Sequence, residues 1–101
     1  MRFRVLKKAE RDLDEIFVYW ARHAGLDVAD KLLDSIEERF ALLGDYPFVG
    51  RKRDDIAPGV SSFLAGKYLI YYRRKRGMIH ILHVFHGAQE QVRTYTKERP
   101  Q

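Results

Sequence analysis

Cysteine is absent from this chain of 101 residues. That excludes disulfides, thiolate nucleophiles and zinc sites built on cysteine, and it is compatible with a reducing compartment. No run approaches the ~20 apolar residues that a membrane-spanning helix needs. The first residues, Met1-Arg2-Phe3-Arg4-Val5, hold no apolar stretch followed by small residues, so no signal peptide is expected. Internal repeats, low-complexity tracts and interdomain linkers are also missing. So are a glycine-rich phosphate loop, a nucleophile elbow and paired carboxylates on neighbouring strands. The reading is a cytoplasmic protein with one domain over 1–101, no cofactor, no metal and no membrane partner.

What is present is a packed-protein composition, 46% hydrophobic with 13% aromatic residues. The net charge of +5 is unevenly spread. Between Lys8 and Gly44 there are 5 basic and 9 acidic residues, a balance of −4. The remainder carries 14 basic and 5 acidic residues, a balance of +9. The clusters Arg51-Lys52-Arg53 and Arg73-Arg74-Lys75-Arg76 favour a functional basic surface for a polyanionic or acidic partner over a merely solvated one.

Arg2 to Leu6 reads as a short strand with Phe3 and Val5 on one face. The period then changes. Ala9, Leu13, Ile16, Phe17, Trp20, Ala21 and Ala24 recur every three or four residues and predict a helix that Gly25 ends. Asp27 is the expected N-cap of a second helix burying Ala29, Leu32, Leu33, Ile36, Phe40 and Leu43, stopped by Gly44 and Pro47. The short connection implies an antiparallel helical hairpin. Asp45 to Pro58 reads as a loop.

Three strand-like runs follow: Val60 to Ala65, Lys67 to Lys75, and Met78 to Phe85. Gly66 separates the first two, and the turn Lys75-Arg76-Gly77 separates the last two, so an antiparallel meander is expected. Gln89 to Glu98 is polar and reads as a short C-terminal element or a frayed tail. The predicted fold class is α+β, with a helical hairpin packed on one face of a three- to four-stranded antiparallel sheet. The other face is left for solvent or a partner.

His80, His83 and His86 invite a metal reading. Strict alternation would place His80 and His86 on one face and His83 on the other, so the three do not converge. Structural roles are favoured, with His86, before Gly87, also able to act as an acid or base. Tyr68 and Tyr72 share a face with Ile70 and read as core. Tyr71 shares its face with Leu69 and Arg73, an aromatic–arginine mixture that can stack nucleic-acid bases. A metal-free ribonuclease would need Lys or Arg at the phosphate and a Tyr, His or Glu to move protons. Arg73, Arg74, His86, Glu90, Arg93 and Tyr95 are the residues whose convergence near the edge of the meander would provide them.

The order of short motifs resembles the RelE/ParE superfamily of bacterial type II toxin–antitoxin toxins, the ParE branch above all. Those motifs are Ala9, Asp12-Leu13, Ile16 and Tyr19; Pro47 with Gly50-Arg51; Gly59-Val60-Ser61-Ser62-Phe63; Tyr68-Leu69-Ile70-Tyr71-Tyr72; and Ile81-Leu82-His83-Val84-Phe85-His86-Gly87-Ala88-Gln89-Glu90. Each is weak alone, but their order covers nearly the whole chain. The resemblance implies a growth-inhibiting toxin neutralised by the C-terminal segment of a cognate antitoxin.

Many relatives carry Arg where this chain has Ser61 and Gln89. In the RelE-like ribonucleases basic residues near those positions, and a Tyr that Tyr95 matches, handle the scissile phosphate. Their replacement removes a main source of transition-state stabilisation. The expectation is therefore a ParE-like, non-enzymatic inhibitor of DNA gyrase. Arg73, Arg74, His86, Gln89, Glu90, Arg93 and Tyr95 would form its target-contact surface, with no catalytic residue. The alternatives are a ribosome-dependent mRNA interferase, using Arg73, Arg74, His86 and Tyr95, and a degenerate, non-toxic antitoxin-binding homologue.

Overall fold

A computed structural model describes residues 3–88. Its elements run β1 (Phe3–Val5), α1 (Lys7–Ala24), α2 (Leu26–Asp45), β2 (Arg51–Lys52), β3 (Val60–Ala65), β4 (Tyr68–Lys75) and β5 (Met78–His86). The five strands form one sheet in the order β1-β5-β4-β3-β2. The expected α+β class is found, and β3, β4 and β5 form the expected antiparallel meander. Two edge strands enlarge it. β1 joins parallel to β5, and Arg51–Lys52, expected as loop, pairs with Ser61 and Ser62. The expected C-terminal element lies outside the described residues.

α1 buries Ala9, Asp12, Leu13 and Ile16, and α2 buries Ala29, Ile36, Phe40 and Leu43, each set spaced for one helical face. These faces close over Ile70, Tyr72, Ile79, Ile81 and Val84 to make the main core. Each fully buried Ile, Leu or Phe contributes roughly 1.5–3 kcal/mol. Trp20, at the rim of this core, donates its indole N–H to the Tyr68 hydroxyl at 2.8 Å.

Two helix boundaries differ from expectation. α2 starts at Leu26, and Gly25, at φ 98°, takes the N-cap position. One residue with positive φ reverses the chain, so no spacer remains for Asp27 to cap. Asp27 instead sits in the first turn, where its charge suits the helix dipole. α2 also continues through Gly44 to Asp45. Pro47 restricts the residue before it and sets the limit that Gly44 does not.

The β4–β5 turn is as expected: Arg76 and Gly77 both have positive φ, 54° and 76°, the combination that matches strand twist in a two-residue hairpin turn. β5 departs from strict alternation. Tyr71 pairs with His83 but Tyr72 pairs with Ile81, so Leu82 bulges out of the ladder. The bulge puts His80 and His83 on the same face and His86 on the helix-covered one, the reverse of the pairing that alternation implied.

Candidate target- and partner-contact surface

The face away from the helices is not bare. Val60, Leu69, Tyr71 and Phe85 form a second buried cluster, with Ile56, Ala57 and Leu82 packed against it. Arg53 leads into the segment that covers it. The Arg53 guanidinium lies 5.6 Å from the Tyr71 ring centre. Its Nε and Nη2 donate to the two carboxylate oxygens of Asp55, both at 3.0 Å. That fork holds the exposed Asp55 carboxyl below its usual pKa. Tyr71 is therefore covered by the 53–57 loop, and its ring is closed off from base stacking.

Where this face meets α1, Asp12 reaches around the sheet. β1 ends at Val5, which leaves the Val84 N–H beyond any partner strand. The Asp12 carboxylate accepts that N–H at 3.0 Å, accepts from Lys8 Nζ at 2.7 Å, and is bonded to His83 Nδ1. Burial alone would raise the Asp12 carboxyl. The hydrogen bonds from Lys8, Val84 and His83, with the His83 charge, outweigh burial and hold it below 3.8. Sequence reasoning noted Asp12 only as a motif residue. The missed signal is its position, three after Ala9 and four before Ile16, on the apolar stripe of α1.

The residues expected to contact a target fall into separate places. Arg73 is on the face away from the helices and donates to the Pro58 carbonyl at 3.3 Å. Arg74 is on the opposite face, its guanidinium 5.3 Å from the Phe48 ring centre. It borders a cavity of about 360 Å³ with Asp45, Pro47 and Ile79. His86 sits at the far end of the hairpin. Its ring meets Tyr68 edge-on at 5.5 Å, and its Nδ1 accepts the Ala88 N–H at 3.1 Å. Arg73 pairs with His80 and Tyr68 with His86, so five steps along β4, roughly 17 Å at ~3.3 Å each, separate the two ends. Gln89, Glu90, Arg93 and Tyr95 lie outside the described residues. Ser61 pairs with Tyr72 in mid-sheet.

A third region lies at the β3 edge. β2 covers only Ser61 and Ser62 on β3, so Phe63 to Ala65 continue past it. Beside this edge runs a groove of about 590 Å³, with Val49, Leu64 and Leu69 as apolar walls and Arg51 and Arg53 among its lining. Leu64 is 58% exposed and Val49, also lining the groove, 50%. Exposure of that size on two apolar side chains of one groove marks a candidate interaction surface. Among the described residues no group of three metal-ligating side chains comes together, and no helix is long and apolar enough to cross a membrane.

A family model described as the ParE toxin of the type II toxin–antitoxin system parDE matches residues 3–91. This chain belongs to the ParE toxin family. It is 33% identical to Toxin ParE3 of Caulobacter vibrioides over 76 residues, 75% of this chain and 76% of that one. It is 28% identical to Toxin ParE1 of Mycobacterium tuberculosis over 90 residues, covering 88% and 92% of the two chains. A solved structure titled as a chromosomal ParDE toxin–antitoxin system from P. aeruginosa superimposes with a TM-score of 0.75 at 26% identity, over 85% of this chain and 95% of that one. The β1-α1-α2-meander order is thus a ParE-type toxin fold, and a ParE-type toxin of a type II module has a cognate antitoxin.

Proposed function

We propose that this ParE-family toxin acts in the cytoplasm as a non-enzymatic poison of DNA gyrase, trapping it with cleaved DNA. The observation that carries the reading is the ParE family match across residues 3–91. The separation of Arg73 and Arg74 from His86 agrees with it. Those groups occupy two faces and two ends of the hairpin, which suits contacts spread over a large partner better than convergence on one phosphate. Ser61 supplies no fixed positive charge for phosphoryl transfer. The target-contact residues remain Arg73, Arg74, His86, Gln89, Glu90, Arg93 and Tyr95.

The test is a supercoiling and DNA-cleavage assay with purified gyrase and the antitoxin-free chain. Loss of supercoiling with accumulation of cleaved plasmid is expected. No effect from an excess of folded chain would discard gyrase as the target and direct attention to cleavage of ribosome-bound mRNA, then to a non-toxic role.

The antitoxin is proposed to dock at the β3 edge, adding a strand beside Phe63 to Ala65 and placing apolar side chains against Val49 and Leu64. Leu64→Asp should weaken antitoxin binding by at least about tenfold, the equivalent of one lost apolar anchor of about 1.4 kcal/mol. Unchanged affinity by calorimetry would place the antitoxin elsewhere.

A further inference from the structure

The basic residues of the last third do not all belong to the proposed contact set. Arg4 pairs with His80, and His80 pairs with Arg73, across three adjacent strands. Residues directly opposite one another share a face, so these three form a row on the side away from the helices. Lys75 pairs with Met78 two positions nearer the turn, on that same side. Arg4, Lys75, Arg76, Met78 and His80 enclose a shallow cleft of about 360 Å³.

The row sets Arg4 and Arg73 on either side of His80, with no carboxylate as register partner to either arginine. None of its cations takes part in the ion pairs found among the described residues, which join Lys8 and His83 to Asp12 and Arg53 to Asp55. Among the described residues no acidic side chain lines the cleft, and Met78, 38% exposed, is its apolar wall. The large exposed apolar residues lie elsewhere, at Tyr46, Phe48, Val49 and Leu64, and at Val18, Tyr19, Leu26 and Val28. Protein interfaces carry an apolar core with aromatic anchors. A phosphate backbone needs none, and is held by Lys and Arg at charge density alone.

We propose that the row Arg4–His80–Arg73 with Lys75 and Arg76 is a binding site for the phosphate backbone of duplex DNA, without base specificity. The choice of DNA over RNA rests on the gyrase reading, which brings a duplex to the toxin. Arg4 and Arg73 lie two strand spacings, about 9.6 Å, apart across the sheet, and Arg73 and Lys75 about 6.6 Å apart along β4, so one segment of backbone can meet several at once.

The experiment is fluorescence anisotropy of the full chain, free of antitoxin, with a labelled 20-base-pair duplex of arbitrary sequence. Four phosphate contacts predict a log–log salt slope near −3.6, or roughly 150-fold weaker binding at 200 mM than at 50 mM salt. Arg4→Glu with Lys75→Glu should abolish binding, Arg4→Gln with Lys75→Gln should weaken it at least about tenfold, and Lys31→Glu, on α2, should leave it unchanged. Circular dichroism checks that each variant is folded.

Salt-independent binding, or binding unaffected by both double variants, would overturn the site. Displacement of the duplex by single-stranded RNA or by polyglutamate at lower concentration than by unlabelled duplex would reassign it to RNA or to an acidic protein segment. The gyrase assay reads a separate quantity. Duplex binding without gyrase trapping keeps this site and removes the target, and trapping without duplex binding does the reverse.

Discussion

Replacing Asp12 with alanine removes a carboxylate that holds three groups from two elements. Val84 N–H has no strand to turn to, because β1 has already ended. Leaving a buried N–H unsatisfied costs about 1–3 kcal/mol. His83, 8% exposed, loses its Nδ1 partner, a further loss of about 1–2 kcal/mol. Lys8, whose side chain is 59% exposed, returns to water at nearly no cost. Removing the buried carboxylate also relieves its desolvation, which offsets part of the total. The net expectation is a loss of about 2–4 kcal/mol, a large fraction of the ~5–15 kcal/mol typical of such a domain. At 4–8 °C per kcal/mol, the melting midpoint should fall by roughly 8–32 °C.

The assay is urea unfolding at pH 7 followed by circular dichroism, with Asp12→Asn and Lys8→Ala alongside. Asp12→Asn keeps an acceptor for Val84 and should lose about half as much, whereas Lys8→Ala should lose less than about 0.5 kcal/mol. The pH dependence has a definite sign. The folded carboxyl lies below 3.8, so its contribution is present above that value and is lost as pH falls through the folded pKa. The gap between wild type and Asp12→Ala should therefore narrow in acid. An alanine variant within 0.5 kcal/mol of wild type, or a gap that widens in acid, would refute the reasoning.

Two further outcomes concern the loop after α2. In Gly50→Ala the new Cβ would lie 2.2 Å from the Tyr72 hydroxyl oxygen and 2.7 Å from the Ser62 carbonyl oxygen, and the backbone contact cannot swing away. The variant should lose more than about 2 kcal/mol in urea unfolding, and stability within 0.5 kcal/mol of wild type would show that the loop shifts freely. Tyr72→Phe removes a hydroxyl that donates to Pro47 O and accepts from Gly50 N, each at 3.0 Å, and should cost about 1–2 kcal/mol. Burial raises the Tyr72 phenol above 10.0 despite the bond it accepts from Gly50 N–H, so in an ultraviolet titration one tyrosine of the wild type should ionise late, and that late fraction should vanish in the variant.

Much of the architecture was legible because it rests on local rules. Ala9, Leu13 and Ile16 declare a helix by spacing alone. Arg76-Gly77 declares a turn because the positive φ there suits few pairs of residues. The second buried cluster was not legible, since Arg53 and Ile56 sit in a stretch without period, Arg53 meeting the Tyr71 ring and the half-buried Ile56 packing against the cluster only once the chain is folded. The bulge at Leu82 was hidden for a different reason. One uncounted residue shifts the side of everything beyond it, and no residue type announces that shift. The role of Asp12 depended on Val84, 72 positions away. The candidate surface was legible as charge in the Arg73 to Arg76 run, and its division between two faces followed from alternation, but the side taken by His86 required the register.

The bulge has a consequence for how this gene can vary in length. A strand ordinarily tolerates no gain or loss of a residue, because each one inverts the facing of all that follow. β5 is an exception at one place. Remove Leu82 and His83 succeeds Ile81 in ordinary alternation, with every later side chain still on its present side. Remove Ile81 instead, and Leu82 steps into the vacated rung with a side chain of similar size. The middle of β5 thus holds one residue of slack, and relatives one residue shorter there can keep the same two faces.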